Sequence, residues 1–168
     1  MLRMLTVLIL LGSLMAARAY DPFSETNSQA GALPAAAPTG RVVKVLPLFL
    51  DVHGHDSLSP SLFERDAYQA LLRRETNAIF GVRVDVLWRA RNPGDQKLTL
   101  RAELRGIGPE GYPRLTVLET PVTGGFFRQW ASLTLNGQAW KNFGSLVAWR
   151  VTLWDGKRLL GEQKSFLW

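Results

Sequence analysis

The chain has 168 residues, 46% of them hydrophobic and 20% charged, with no cysteine and a formal charge of +6 at neutral pH. That length suits one domain of ordinary size, and the composition is that of a folded chain. The missing cysteines exclude a disulfide framework, thiolate metal sites, thiol catalysis and lipid attachment through a thiol.

Met1 to Met4 carries one positive charge at Arg3, Leu5 to Leu14 is an apolar run, and Ala17-Arg18-Ala19 is a small-residue cleavage site. Together they predict a secretory signal peptide over 1–19, cut between Ala19 and Tyr20, and hence a secreted or periplasmic protein. The competing reading is an uncleaved anchor. The apolar stretch, which Gly12 and Ser13 interrupt, is short of the ~20 residues a spanning helix needs. No stable membrane insertion is therefore expected after cleavage. Loss of Arg3 and Arg18 lowers the charge to about +4, a mild value that argues against nucleic acid as a partner of an exported chain. Residues 20–40, rich in Ala, Pro, Gly, Ser and Thr, predict a flexible linker. The folded domain is expected over 41–168.

Arg41 to Val52 predicts a strand, which Pro47 confines to an edge, a bulge or a switch between sheets. Pro60 to Arg74 predicts an α-helix capped by Ser59, with Ser61 and Glu64 as an alternative capping box. Its apolar face is expected to carry Phe63, Ala67, Ala70 and Leu71. Val82, Val84, Val86, Trp88 and Ala90 then alternate with polar residues, as do Leu98, Leu100, Ala102 and Leu104, so each segment predicts a strand with one buried face. Asn92-Pro93-Gly94-Asp95 reads as a turn. If the two strands form a hairpin, pairing Trp88 with Leu98 sets Asp85 opposite Arg101 and Arg83 opposite Glu103, whereas a slip by two sets like charges together.

Gly106-x-Gly108-x-x-Gly111 reads as a turn-rich loop, because Pro109 interrupts it and no helix follows. Leu115 to Val122 and Phe126 to Leu135 predict two more strands, and Gln138 to Gly144 a helical turn holding Trp140 and Phe143. Leu146 to Leu153 and Lys157 to Trp168 predict a last hairpin. A three-residue loop with Gly156 left-handed would set Val151 opposite Leu159 and Trp149 opposite Gly161, giving the indole room and burying no charge. Short strands with no strand–helix alternation predict a mostly β fold, a sandwich or barrel of about seven strands.

The strand spacing, with Val84-Asp85-Val86-Leu87-Trp88 as an early core strand, resembles immunoglobulin and fibronectin-III-type modules. The resemblance implies an antiparallel Ig-like sandwich with Trp88 packed between its sheets and the helix at 60–74 as an insertion. It also implies a binding, spacing or structural role more readily than catalysis.

Three groups of residues could carry chemistry or recognition. The two histidines, His53 and His55, fall on one side of an extended segment with Asp51. They could hold a metal with water or Glu64 as a fourth ligand, or simply populate a polar loop between strand and helix. Of six tryptophans, Trp88 and Trp149 follow the core alternation and Trp130 and Trp140 are expected to be buried or half-buried. Trp154 at a hairpin tip and Trp168 at the end are the candidates for contact with a sugar or protein, or else they cover a sheet edge. Arg73, Arg74, Arg83, Arg89 and Arg91 read as a solvated sheet face. No G-x-S-x-G, phosphate-loop or paired-carboxylate pattern stands out, and no cofactor is implied. The expectation is an exported, non-catalytic sandwich that contacts a protein or envelope component. Carbohydrate binding and metal binding are the alternatives.

Overall fold

The computed structural model describes residues 39–91 and 97–168. The expected signal peptide, nearly all of the linker and the turn at 92–95 lie outside the described residues. The strands are β1 (Thr39–Leu50), β2 (Gly81–Arg91), β3 (Leu98–Ile107), β4 (Pro113–Val122), β5 (Gly125–Asn136), β6 (Ser145–Asp155) and β7 (Arg158–Lys164). Helix α1 (Leu62–Arg74) and a 3-10 turn (Thr76–Ala78) join β1 to β2, and helix α2 (Gly137–Phe143) joins β5 to β6. The chain is thus mostly β, as expected. Its strands form two antiparallel sheets, ordered β1-β2-β5 and β4-β3-β6-β7. No helix among the described residues is long and apolar enough to cross a membrane.

The alternating residues of β2 and β3 face each other across the interior. Val82, Val84, Val86, Trp88 and Ala90 are buried from one sheet, and Leu98, Leu100, Ala102 and Leu104 from the other. Val151 and Leu153 of β6 and Leu133 and Leu135 of β5 complete that core, and Trp140 and Phe143 of α2 close one end of it. Trp88 is 1% exposed and its Nε1 has no hydrogen-bond partner. An orphaned donor costs about 1–3 kcal/mol. A buried indole of ~150–250 Å² returns about 4–6 kcal/mol at ~25 cal/mol per Å², so burial wins. Trp88→Phe removes the orphan while filling most of the space. We expect chemical denaturation to show a loss of only about 1 kcal/mol.

Four sequence expectations are corrected here. First, β2 and β3 do not form a hairpin. They belong to different sheets, so Trp88 does not pair with Leu98. The charges that favoured the hairpin find partners within their own sheets. Arg83 reaches Asp85 on its own strand at 3.0 Å and Asp56 at 3.0 Å. Glu119, Arg101, Glu103, Arg150 and Glu162 form a ladder across the second sheet. Charges two residues apart on a strand share a face, so pairing terms of a few tenths of a kcal/mol could not choose between partners.

Second, α1 begins at Leu62 with Ser61, the alternative to Ser59, at its N-cap, but the Ser61 side chain makes no capping hydrogen bond. It also turns another face inward. Gln69 and Leu72 are buried, while Phe63 is 83% exposed and Leu71 is exposed as well. The reason is polar. β1 is an edge strand, and the Phe49 N–H and C=O have no neighbouring strand. The Gln69 side chain supplies one: Phe49 N donates to Oε1 and Nε2 donates to the Phe49 carbonyl, both at 2.8 Å. Nε2 also donates to the Asp56 carbonyl at 2.9 Å.

Third, the last hairpin is shifted. Leu153 pairs with Gly161 and Trp154 with Leu159, with a bulge between them, around a turn at Gly156 and Lys157. Gly161 does not make room for the Trp149 indole. A Cβ there would lie 2.7 Å from Arg41 Cα and 3.0 Å from Val42 N. The glycine lets β1 and β7 approach along one side of the sandwich. Fourth, β1 starts at Thr39; it is an edge strand, the first of the alternatives that Pro47 predicts, and its register shift falls between Val42 and Lys44.

Candidate functional site

The polar loop after β1 is organised by Asp51. Its Oδ1 accepts from the His53 and His55 amides, each at 2.8 Å, and its Oδ2 accepts from the Tyr68 hydroxyl of α1 at 2.8 Å. Gly54, at φ +80°, lets the loop reverse so that its amide donates to the Asp51 carbonyl. The rings of His53 and His55 lie side by side at 5.9 Å between centroids, and both residues are exposed. Asp51 thus sits beneath the two histidines, with both carboxylate oxygens committed to the loop and to α1. Among the described residues no three His, Cys, Asp or Glu side chains are grouped to hold a metal.

Burial pushes the Asp51 carboxyl up. The hydrogen bonds from His55 N–H, Tyr68 and His53 N–H, with the charge of His55, outweigh it and hold the group below the ordinary aspartate value of 3.8. The same contact with Asp51, followed by burial, pushes Tyr68 up from 10.0. A carboxyl depressed in the folded state contributes stability above its unfolded value, and that stability is lost as pH falls through the folded value. Acid titration followed by circular dichroism should therefore show α1 loosening below about pH 4. Asp51→Asn should be less stable at neutral pH and lack that acid component.

Gln69 and Tyr68 fix α1 against the end of β1, and this sets the position of Arg73 one turn further on. Its guanidinium lies over the Phe49 ring, 5.7 Å from the centroid. Phe49 meets Trp140 of α2 edge to face at 6.2 Å, and Trp140 packs on Phe143 at 5.8 Å. Lys141 lies over Phe80 at 5.6 Å. Between these groups is an open cavity of about 420 Å³, lined by Phe49, Ile79, Trp140 and Leu146, with Arg73 and Lys141 among its walls and no carboxylate. Its size falls in the ~300–1,000 Å³ range of small-ligand sites. The lining comes from five separate elements of the chain, so nothing local in the sequence announces it.

The tryptophans take other places. Trp154 is half-buried, donates from Nε1 to Thr152 Oγ1 at 2.8 Å, and stands beside a polar cleft with Arg101, Glu119 and Lys157. Trp168 is half-buried under two guanidinium groups, Arg105 at 3.9 Å and Arg150 at 5.2 Å from its ring centroid. Trp130, expected to be buried or half-buried, is 54% exposed, because it lies opposite Leu87 in the outward row of the first sheet.

No family model and no curated protein matches the chain. Among solved structures, the crystal structure of a protein from Akkermansia muciniphila is similar at a TM-score of 0.47 and 8% sequence identity, over 77% of this chain and 72% of that chain.

Proposed function

We propose that the protein is an exported, non-catalytic sandwich of the immunoglobulin and fibronectin-III kind, and that it binds a molecule joining an apolar body to an anionic head. The strand order supports the first part. β1, β2 and β5 correspond to strands A, B and E of an immunoglobulin-type sandwich, and β3, β6 and β7 to C, F and G, with β4 beside the latter group. Trp88 packs between the sheets, as such modules require. Export rests on the signal-like segment at 1–19.

The observation that carries the ligand is the cavity between α1 and α2. Its floor is aromatic and aliphatic, and among the described residues that line it the charged groups are Arg73 and Lys141, with no acidic side chain beside them in the lining. The apolar part of a ligand would gain from burial there, and a carboxylate or similar head would gain charge-assisted hydrogen bonds.

The test is calorimetric titration of the full chain with octanoate, octanol and octylamine. Octanoate should bind best. Replacing both Arg73 and Lys141 by Ala should weaken it by about 10–100-fold, the equivalent of roughly 1.5–3 kcal/mol for lost bonds to a charged group. Equal affinity for octanol, or a double variant that binds octanoate as the parent does, would remove this reading.

A further inference from the structure

On the outer face of the first sheet, Arg41 of β1 stands directly opposite Arg89 of β2, and Arg91 follows Arg89 on the same face of β2. Arg128 of β5 completes the group, since the pairing of Trp88 with Gln129 and of Leu87 with Trp130 sets Arg128 on the same outward side, next to Arg89. Like charges directly opposite on neighbouring strands are unfavourable. Elsewhere carboxylates offset such repulsion: Arg83, Arg101 and Arg150 each have a carboxylate partner, Arg150 while standing opposite Lys164. Among the described residues, Arg41, Arg89 and Arg128 have none. The guanidinium of Arg89 is held below the usual arginine range, first by Arg41, then by desolvation and by Arg91 and Arg128. Arg41 and Arg91 are exposed and Arg89 is half-buried, and the three border a shallow hollow of about 130 Å³ beside Thr39 and Gly40.

The same face carries Trp130. Arg128 and Trp130 are two residues apart on β5, so they project to the same side about 7 Å apart. The ring is 54% exposed and flanked by the half-buried Leu87. A planar guanidinium fork matches a carboxylate or sulfate through paired hydrogen bonds, and an exposed indole offers a flat apolar face with a polar edge. The sheet face has no walls, which suits an extended polymer better than an enclosed small molecule. Among the described residues of β1, β2 and β5, Trp130 and Phe127 are the large exposed apolar side chains, and two rings beside a row of cations suit an anionic polymer better than a lipid surface. We infer that the outer face of β1-β2-β5 is a binding surface for an acidic polysaccharide, with Arg41, Arg89 and Arg128 taking its anionic groups and Trp130 stacking on a sugar ring.

This surface is separate from the cavity between α1 and α2, and the test keeps the two apart. The full chain is run in affinity electrophoresis through gels containing polygalacturonate, heparin or uncharged dextran, and in parallel is sedimented with vesicles of phosphatidylcholine containing phosphatidylglycerol. Retardation is expected in the two acidic gels and not in dextran, and it should weaken with added salt. The triple variant Arg41→Gln, Arg89→Gln, Arg128→Gln should lose it, with a melting temperature no lower than the parent's because repulsion has been removed. Trp130→Ala should weaken retardation by about tenfold, and the Arg73→Ala, Lys141→Ala variant should leave it unchanged. The inference is overturned if the triple variant is retarded like the parent. It is overturned equally if Trp130→Ala has no effect, which would mean charge alone acts, or if anionic vesicles capture the chain in preference to both acidic polymers.

Discussion

Gly144→Ala is expected to cost about 3–5 kcal/mol, the sum of a strained backbone and a steric collision. Gly144 ends α2 at φ +82° and ψ −133°, a region in which residues with a side chain are strained. A Cβ at this position would collide with the Ile107 carbonyl oxygen and lie 2.9 Å from Gly108 Cα. Both are backbone atoms and neither can swing aside. A domain of this size holds about 5–15 kcal/mol in all, so thermal unfolding should shift down by roughly 10–20 °C. Gly54→Ala is the matched control. Its φ is +80°, yet nothing lies within 4 Å of the added Cβ, so only the conformational cost of about 1–2 kcal/mol should appear. If the two variants lose the same stability, the close approach of α2 to the end of β3 does not carry the effect.

Gln69→Leu should destabilise the protein by about 2–4 kcal/mol, although the new side chain is apolar and similar in size. The substitution leaves Phe49 N–H, Phe49 C=O and the Asp56 carbonyl without the partners that Gln69 gives them. Each orphaned buried group costs about 1–3 kcal/mol, less where water can enter. Helix α1 should become the first site of limited proteolysis, and the Phe49 amide should lose its protection in hydrogen exchange. Gln69→Glu separates the two halves of the clamp. A carboxylate can still accept from Phe49 N–H but presents like partial charge to both carbonyls, so its defect should shrink at acid pH as the group gains a proton. A Gln69→Leu variant as stable as the parent would show that Leu72 and its neighbours hold the helix without the amide.

These two residues mark the limit of what can be read from the chain. The strands were legible because period-two alternation depends only on which face is buried. Val82 to Ala90 and Leu98 to Leu104 are the clearest cases, and both proved fully buried on the expected side. Which strands pair was not legible, because β2 and β3 alternate in the same way whether they lie side by side or face to face. The inward face of α1 is hidden from the sequence for a related reason. Leu71 and Leu72 are neighbours about 100° apart around the helix, and the choice between them was made by the need of an edge strand for a polar partner, which hydrophobic periodicity does not register. In the sequence Asp51 has the residue type of a metal ligand, and only the fold shows its two oxygens organising the loop in which His53 and His55 sit. The cavity between α1 and α2 and the arginine face both join residues distant in sequence. Only the fold brings Arg73 to Lys141 or Arg41 to Arg128.

The length of β1 separates these two surfaces. The strand begins beside the arginine group and ends at the floor of the cavity, so Arg41 and Phe49, eight residues apart, are about 27 Å from one another. At physiological ionic strength a charge is screened over about 8 Å, roughly a third of that distance. Neutralising one group of cations would leave the other's attraction for anions almost untouched. Two ligands could be held at once, one along the flank of the sandwich and one at its tip, each with the affinity it would have alone. On the two proposals above, the domain would fasten a small amphiphile to an acidic polysaccharide without either one regulating the other.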